Sequence, residues 1–134
     1  MSGEGNKQLV VAYVDAFNRG DLDGLCCLFA PDAEIHGAFG SAAREKAREI
    51  WQQLIDCLNI QLQINAIIAE GDSVAVRYTE RGKSVKAFRG AGPTGKSYEI
   101  AAMEWFDISA GLIHRRWGTR DTASQFRQMG LSLT

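Results

Sequence analysis

The apolar residues of this chain change period once, near Ile60, and that change limits the fold more than any other feature. Before it, apolar side chains recur every three or four residues. Leu9, Val10, Tyr13, Val14, Ala16 and Phe17 share one helical stripe; Ala47, Ile50, Trp51, Leu54, Ile55 and Leu58 share another. After it they alternate, through Ile60, Leu62, Ile64, Ala66 and Ile68 and then Val74, Val76 and Tyr78. Helices gathered in one part of the chain and strands in the other predict an α+β domain rather than repeated βα units.

The punctuation fits that reading. Gly20 closes the first helix over 7–19, and Asp21 caps a second short helix that reaches Phe29 and stops at Pro31-Asp32. Ala33 to His36 is a short extended piece, Gly37 to Gly40 a loop, and Ser41 opens the third helix. Glu70-Gly71-Asp72 turns one hairpin. A longer hairpin runs from Ser97 to Ile108, turns at Ser109-Ala110-Gly111 and returns from Leu112 to Asp121. Thr122 to Met129 is a short closing helix with a Thr122/Gln125 capping box. With 134 residues the chain suits one domain over 1–134. Four antiparallel strands would curl over the long helices, and the concave face would enclose a core or a cavity.

Several classes of function are disfavoured. A net charge of −1 gives no electrostatic case for nucleic acid or an anionic membrane surface. No apolar run approaches the roughly 20 residues of a membrane span. The start, Met1-Ser2-Gly3-Glu4-Gly5-Asn6, lacks the basic-then-apolar order of a signal peptide. Cys26, Cys27 and Cys57 have no metal-ligand spacing and read as free thiols in a reducing cytoplasm. No metal or cofactor is called for. Gly90-Ala91-Gly92-Pro93-Thr94-Gly95-Lys96-Ser97 matches the phosphate-loop pattern letter for letter. That chemistry needs a buried parallel strand before the loop and a helix after it. Here a strand follows, so the segment reads as a Gly/Pro connection.

The long hairpin carries charges that a buried strand must pair or use: Glu104, Arg115 and Asp121. Simple alternation puts Ile113, Arg115, Trp117, Thr119 and Asp121 on one side. Two readings stand for each group. Asp121 is a pocket acid or the cap of the last helix. Glu104 is a buried acid or the salt-bridge partner of Arg115. Tyr13 is a hydrogen-bond donor or a packed phenol.

The run from Tyr13 to Leu25, with Leu28-Phe29-Ala30-Pro31-Asp32-Ala33, resembles the opening of nuclear-transport-factor-2-like proteins. The end is similar to their SnoaL-like polyketide cyclase branch: Phe106-Asp107-Ile108, Gly111-Leu112-Ile113, Trp117 to Asp121, then Phe126 to Gly130. Ketosteroid isomerase and limonene epoxide hydrolase belong to the same superfamily. The resemblance implies a cone-shaped fold, with a curved, mostly antiparallel sheet wrapped around a long helix. Three N-terminal helices and a short C-terminal one complete it, around an apolar pocket. It also implies a homodimer through the outer face of the sheet.

The resemblance implies site roles too. Asp121 matches the acid/base aspartate of the cyclases. Glu104 sits where ketosteroid isomerase carries a protonated acid, and Tyr13 at its oxyanion tyrosine. Gly37 replaces the isomerase's proton-shuttling aspartate, which argues against steroid isomerisation; His36 beside it is a candidate pocket base. A Glu104–Arg115–Asp121 cluster is similar to the carboxylate–arginine–carboxylate set of the epoxide hydrolase. The expected lining is Ile35, His36, Phe39, Trp51, Leu54, Ala102, Phe106 and Trp117. The implied activity is cofactor-independent, acid/base, aldol-type cyclisation or isomerisation of a small hydrophobic carbonyl compound. The alternatives are epoxide hydrolysis, and a non-catalytic binding or dimeric interaction module.

Overall fold

The structure, a computed structural model, describes residues 3–132. Helices α1 (Gly3–Arg19) and α2 (Leu22–Cys26) lead into strand β1 (Phe29–Gly37) and the short β2 (Gly40–Ala42). Helix α3 (Arg44–Leu58) follows, then β3 (Gln61–Glu70), β4 (Ser73–Lys83), β5 (Ser97–Ser109), β6 (Leu112–Arg120) and α4 (Thr122–Met129). All six strands form one curved sheet in the order β2-β1-β6-β5-β4-β3. The last four make an antiparallel meander, while β1 joins β6 in parallel. No described helix is long and apolar enough to cross a membrane.

The helices cover one face of the sheet. Val10, Tyr13, Val14 and Phe17 of α1 and Ala47, Trp51 and Leu58 of α3 are buried against Val74, Val76, Tyr78, Ile100, Ala102 and Phe106. Each such aliphatic or aromatic side chain contributes roughly 1.5–3 kcal/mol when fully buried. Asn18 fastens the end of α1 to β3, donating to the Leu62 carbonyl at 2.8 Å and accepting from its N–H at 2.9 Å.

Element boundaries and caps differ from expectation in several places, with α1 starting at Gly3 rather than Lys7 and β1 at Phe29 rather than Ala33. The second helix stops at Cys26, because Phe29 already belongs to β1. Ser41 lies in β2 rather than opening α3, which starts at Arg44. The cap of α4 is Asp121, whose Oδ1 accepts from the Ser124 N–H at 2.9 Å, in place of a Thr122/Gln125 box.

Two β-bulges matter more. In β3, Ile64 faces Tyr78 and Ala66 faces Arg77, so Asn65 is an extra residue. In β6, Ile113 faces Ile108 and Arg115 faces Asp107, so His114 is extra. Side chains alternate with period two, so one inserted residue exchanges the faces of everything after it. Ile68 therefore points outward and is exposed, while Ile67 and Ala69 pack on the core. In β6 the inward residues after the bulge are Arg116, Gly118 and Arg120. Arg115, Trp117 and Thr119 are turned outward, correcting the alternation drawn through Ile113.

The segment with the phosphate-loop spelling joins β4 to β5 as a closed strap. Ser84 N–H donates to the Lys96 carbonyl at 3.0 Å, and Gly95 N–H donates back to the Ser84 carbonyl at 2.9 Å. Thr94 ties the strap to α4 through the Met129 carbonyl at 2.6 Å. A strand, β5, follows it, so no helix N-terminus stands behind the glycines.

Candidate functional site

A cavity of about 70 Å³ lies between α1, α3, α4 and the sheet. Its helix side is apolar, with Phe17, Ile50, Trp51 and Leu54. Its sheet side carries the charge: Glu80 of β4, Glu104 of β5, and Arg116 and Arg120 of β6. Tyr13 and Gln125 add polar groups from the two flanking helices.

The four charged groups form an alternating chain. Arg116 Nη1 donates to Glu104 Oε2 at 2.5 Å. Arg120 Nη2 stands 3.7 Å from the same oxygen, beyond hydrogen-bond length, while its Nε donates to Glu80 Oε1 at 2.8 Å. A phenol serves each carboxylate: Tyr78 donates to Glu104 Oε1 at 2.8 Å and Tyr98 to Glu80 Oε2 at 2.6 Å. Two negative and two positive charges cancel. Complete pairing is what makes such a buried cluster tolerable, because one uncompensated charge there costs several kcal/mol. Arg116 Nε is buried and has no partner among the described residues, so this guanidinium keeps a donor unused.

Local sequence explains how the cluster fits. Glu104 faces Gly118 across the β5/β6 ladder. A Cβ at Gly118 would lie 2.3 Å from Arg116 Nη1 and 3.0 Å from Glu104 Oε2, so glycine leaves the volume the ion pair occupies. Gly37 also lines the cavity and is open: a Cβ there would meet only Arg116 Nη2, at 3.6 Å. The missing aspartate of the isomerase pattern thus falls beside a guanidinium.

Electrostatics fix the protonation of the donors. Burial, and then the charge of Glu104, push the Tyr13 phenol well above its usual range. The same two causes raise Tyr78. Burial, and then Glu80, raise Tyr98. All three remain neutral O–H donors at ordinary pH. Burial works against the cations of Arg116 and Arg120, but Glu104 and Glu80 outweigh it and raise both guanidiniums.

The sequence-predicted residues divide clearly. Glu104, Tyr13, Ile35, Phe39, Trp51 and Leu54 line the cavity. Arg115 does not. It is exposed on the far face of the sheet and reaches Glu34 at 3.4 Å, because the bulge at His114 turned it outward. The partner of Glu104 is Arg116. Asp121 is exposed and spent on the α4 cap rather than facing the cavity. His36 and Trp117 stack on each other on the outer face, ring centroids 5.5 Å apart and 8° from parallel. Ala102 and Phe106 are buried in the core but do not line the cavity; Phe106 packs edge-on against Tyr13 at 5.1 Å. Reasoning from sequence missed Glu80, Arg116, Arg120 and the phenols of Tyr78 and Tyr98. Two signals were present. The alternation Val74, Val76, Tyr78 continues to Glu80. A glycine inside a strand, Gly118, marks a close approach.

Residues 10–116 match the family described as the SnoaL-like domain. Among solved structures, the chain is similar to IdmH of Streptomyces antibioticus, provisionally described as a polyketide cyclase. The identity is 28%, the TM-score 0.82, and the match covers 94% of this chain and 99% of that one. It is similar to a Xanthomonas campestris protein with the same provisional description, at 26% identity and TM-score 0.88, over 94% of this chain and 97% of that one. AclR of Streptomyces galilaeus, provisionally a hydroxylase, is alike in fold, at 24% identity and TM-score 0.87, over 96% and 98% of the two chains.

Proposed function

The chain belongs to the SnoaL-like domain family, and from that premise we propose that its cavity binds a small hydrophobic carbonyl compound and catalyses its acid/base cyclisation or isomerisation without a cofactor. The observation that carries this reading is the Glu104–Arg116 pair, set with the Tyr13 phenol on the charged sheet side of a cavity whose helix side is apolar. The substrate carbonyl oxygen accepts from Tyr13 and from a guanidinium. Glu104 takes a proton from the carbon beside that carbonyl, and the C–H electron pair moves onto the oxygen as an enolate. In cyclisation the enolate carbon bonds to a second carbonyl of the same molecule, and the new alkoxide recovers the proton from Glu104. In isomerisation the proton returns to a different carbon. A positioned general base is worth about 10²–10⁴ in rate, and an oxyanion donor about 10²–10³.

The test is exchange of the α-protons of 2-tetralone into deuterium oxide, followed by NMR. Glu104→Gln, which is also expected to lose stability, should slow enzyme-dependent exchange at least a hundredfold, and Tyr13→Phe about tenfold because the guanidinium donor remains, each read at a temperature where circular dichroism shows the variant folded. A wild-type rate equal to buffer, or a Tyr13→Phe rate equal to wild type in a folded protein, removes this reading. A specific feature favours a second one. Arg120 joins Glu80 to Glu104, a carboxylate–arginine–carboxylate set that suits activation of water against an epoxide. Conversion of styrene oxide to its diol without tetralone exchange would select it. Binding without either reaction would leave a carrier.

For the outer face we propose a homodimer. Trp105 lies opposite Trp117 across the β5/β6 ladder, and His36 stacks on Trp117, so an aromatic row crosses β5, β6 and β1. Met103 is 56% and Trp105 49% exposed. Contiguous apolar surface of this kind marks an interface. Glu34 of β1, Arg77 of β4, Asp107 of β5 and Arg115 of β6 stand on the same face, a mixture of signs that suits pairing with a second copy.

A further inference from the structure

We infer that Arg89 is a specificity residue at the cavity mouth, and that the ligand carries a carboxylate that stays there while its hydrophobic body enters the cavity. This rests on the reading of the cavity as a small-molecule site, but not on any turnover there.

Four observations converge. First, the mouth is located by Phe39, which both lines the cavity and is 39% exposed. The Arg89 guanidinium lies over this ring, 4.0 Å from its centroid, and 5.8 Å from that of Phe88, which also lines the cavity. Second, Arg89 holds a backbone conformation that arginine rarely adopts. Its φ is 50° and that of Gly90 is 82°, in a tight turn closed by reciprocal Phe88–Ala91 hydrogen bonds of 2.8 and 3.0 Å. Asn or Gly is the ordinary occupant of such a turn, and an arginine there holds a strained backbone. That conformation sets the guanidinium over the mouth.

Third, among the described residues no carboxylate pairs with Arg89; its ring contacts are the interactions it makes. Stacking orients a guanidinium and leaves its N–H edge free to grip a carboxylate with two hydrogen bonds. Fourth, the interior cannot take a ligand anion cheaply. Glu80 and Glu104 already balance Arg116 and Arg120, so a further negative charge inside would be uncompensated. A ligand carboxylate belongs at the rim, where solvent remains and a free cation waits.

The probes are 1-naphthylacetate and 1-naphthylacetamide, which differ in charge and little in shape, titrated by calorimetry into the whole chain at low salt. The wild type is expected to prefer the carboxylate about fivefold, the scale of one partly exposed charge pair. That preference should shrink as salt rises from 20 to 300 mM. Arg89→Gln should abolish it, leaving acetamide affinity unchanged, and Arg89→Lys should restore part of it. If both probes bind and Arg89→Gln changes neither affinity, the role of Arg89 is overturned and the cavity reading stands. If neither probe binds the wild type, both fall, and the Phe39–Arg89 contact is packing alone.

Discussion

Adding one methyl group at Gly118 tests whether the buried ion pair organises the site. The new Cβ would stand 2.3 Å from Arg116 Nη1 and 3.0 Å from Glu104 Oε2. Both atoms end flexible side chains, so relief is possible in principle. They are bonded to each other at 2.5 Å, however, with the Arg116 and Glu104 side chains only 7% and 2% exposed. Turning them together into poorer rotamers costs about 0.5–1.5 kcal/mol each. Separating them costs about 3–5 kcal/mol, the penalty of an uncompensated buried charge. Against this, alanine gains about 0.5–1 kcal/mol over glycine inside a strand. The net expectation for Gly118→Ala is a loss of about 2–3 kcal/mol. For a chain of 134 residues this lowers Tm by about 7–10 °C. Gly37→Ala is the matched control, since its Cβ meets only Arg116 Nη2 at 3.6 Å, an ordinary contact. It should change stability by less than about 0.5 kcal/mol. Urea unfolding of both variants, at constant m, is the assay. Gly118→Ala indistinguishable from Gly37→Ala would refute the claim that glycine is required by the pair.

Three further outcomes are expected. All three tyrosines of the chain are raised, so the folded state keeps phenolic protons that the unfolded chain releases above pH 10. Stability is therefore intact below pH 10 and falls above it by roughly 1.4 kcal/mol per pH unit for each tyrosine, and tyrosinate absorbance should appear together with unfolding. Asp121→Ala should cost about 1 kcal/mol through loss of the α4 cap, with tetralone exchange unchanged; lost exchange in a folded variant would return Asp121 to the site. Trp105→Lys should shift sedimentation toward monomer without lowering the cavity's affinity for naphthylacetamide, and an unchanged mass would exclude this face as the dimer contact.

The architecture was legible because apolar periodicity survives at the scale of whole elements. Helical stripes buried Val10, Tyr13 and Phe17, and alternation along β5 buried Tyr98, Ile100, Ala102, Glu104, Phe106 and Ile108. That unbroken alternation carries Glu104 inward, the buried one of the two positions left open for it in the sequence. The site was half legible because its other wall lies beyond a bulge. His114 inserts one residue, and every side chain from Arg115 onward exchanges faces. Asn65 does the same to β3, which is why Ile68 is on the surface. Bulges depend on how two strands settle against each other, and a single strand's pattern does not contain that information. Glu80 escaped for another reason: a charged residue ends an apolar run in sequence, whereas here Arg120 balances its charge inside and Tyr98 donates a hydrogen bond to it.

The parallel pairing of β1 with β6 has a consequence for how the chain comes to be folded. Phe29 lies beside Ile113, and Glu34 reaches Arg115 across 81 positions of sequence. Closing a loop of that length must precede any gain from the contact, so this pairing belongs to the slow, late part of folding. During synthesis α1 to α3 leave the ribosome with their apolar stripes bare, and strand β6, which supplies both arginines of the cavity floor, emerges after the other five strands. The site therefore comes into being only once β6 has joined the sheet. A message truncated before Leu112 would leave the facing edges of β1 and β5 open and the cavity without its arginines, a substrate for chaperones and proteases rather than a partly active protein.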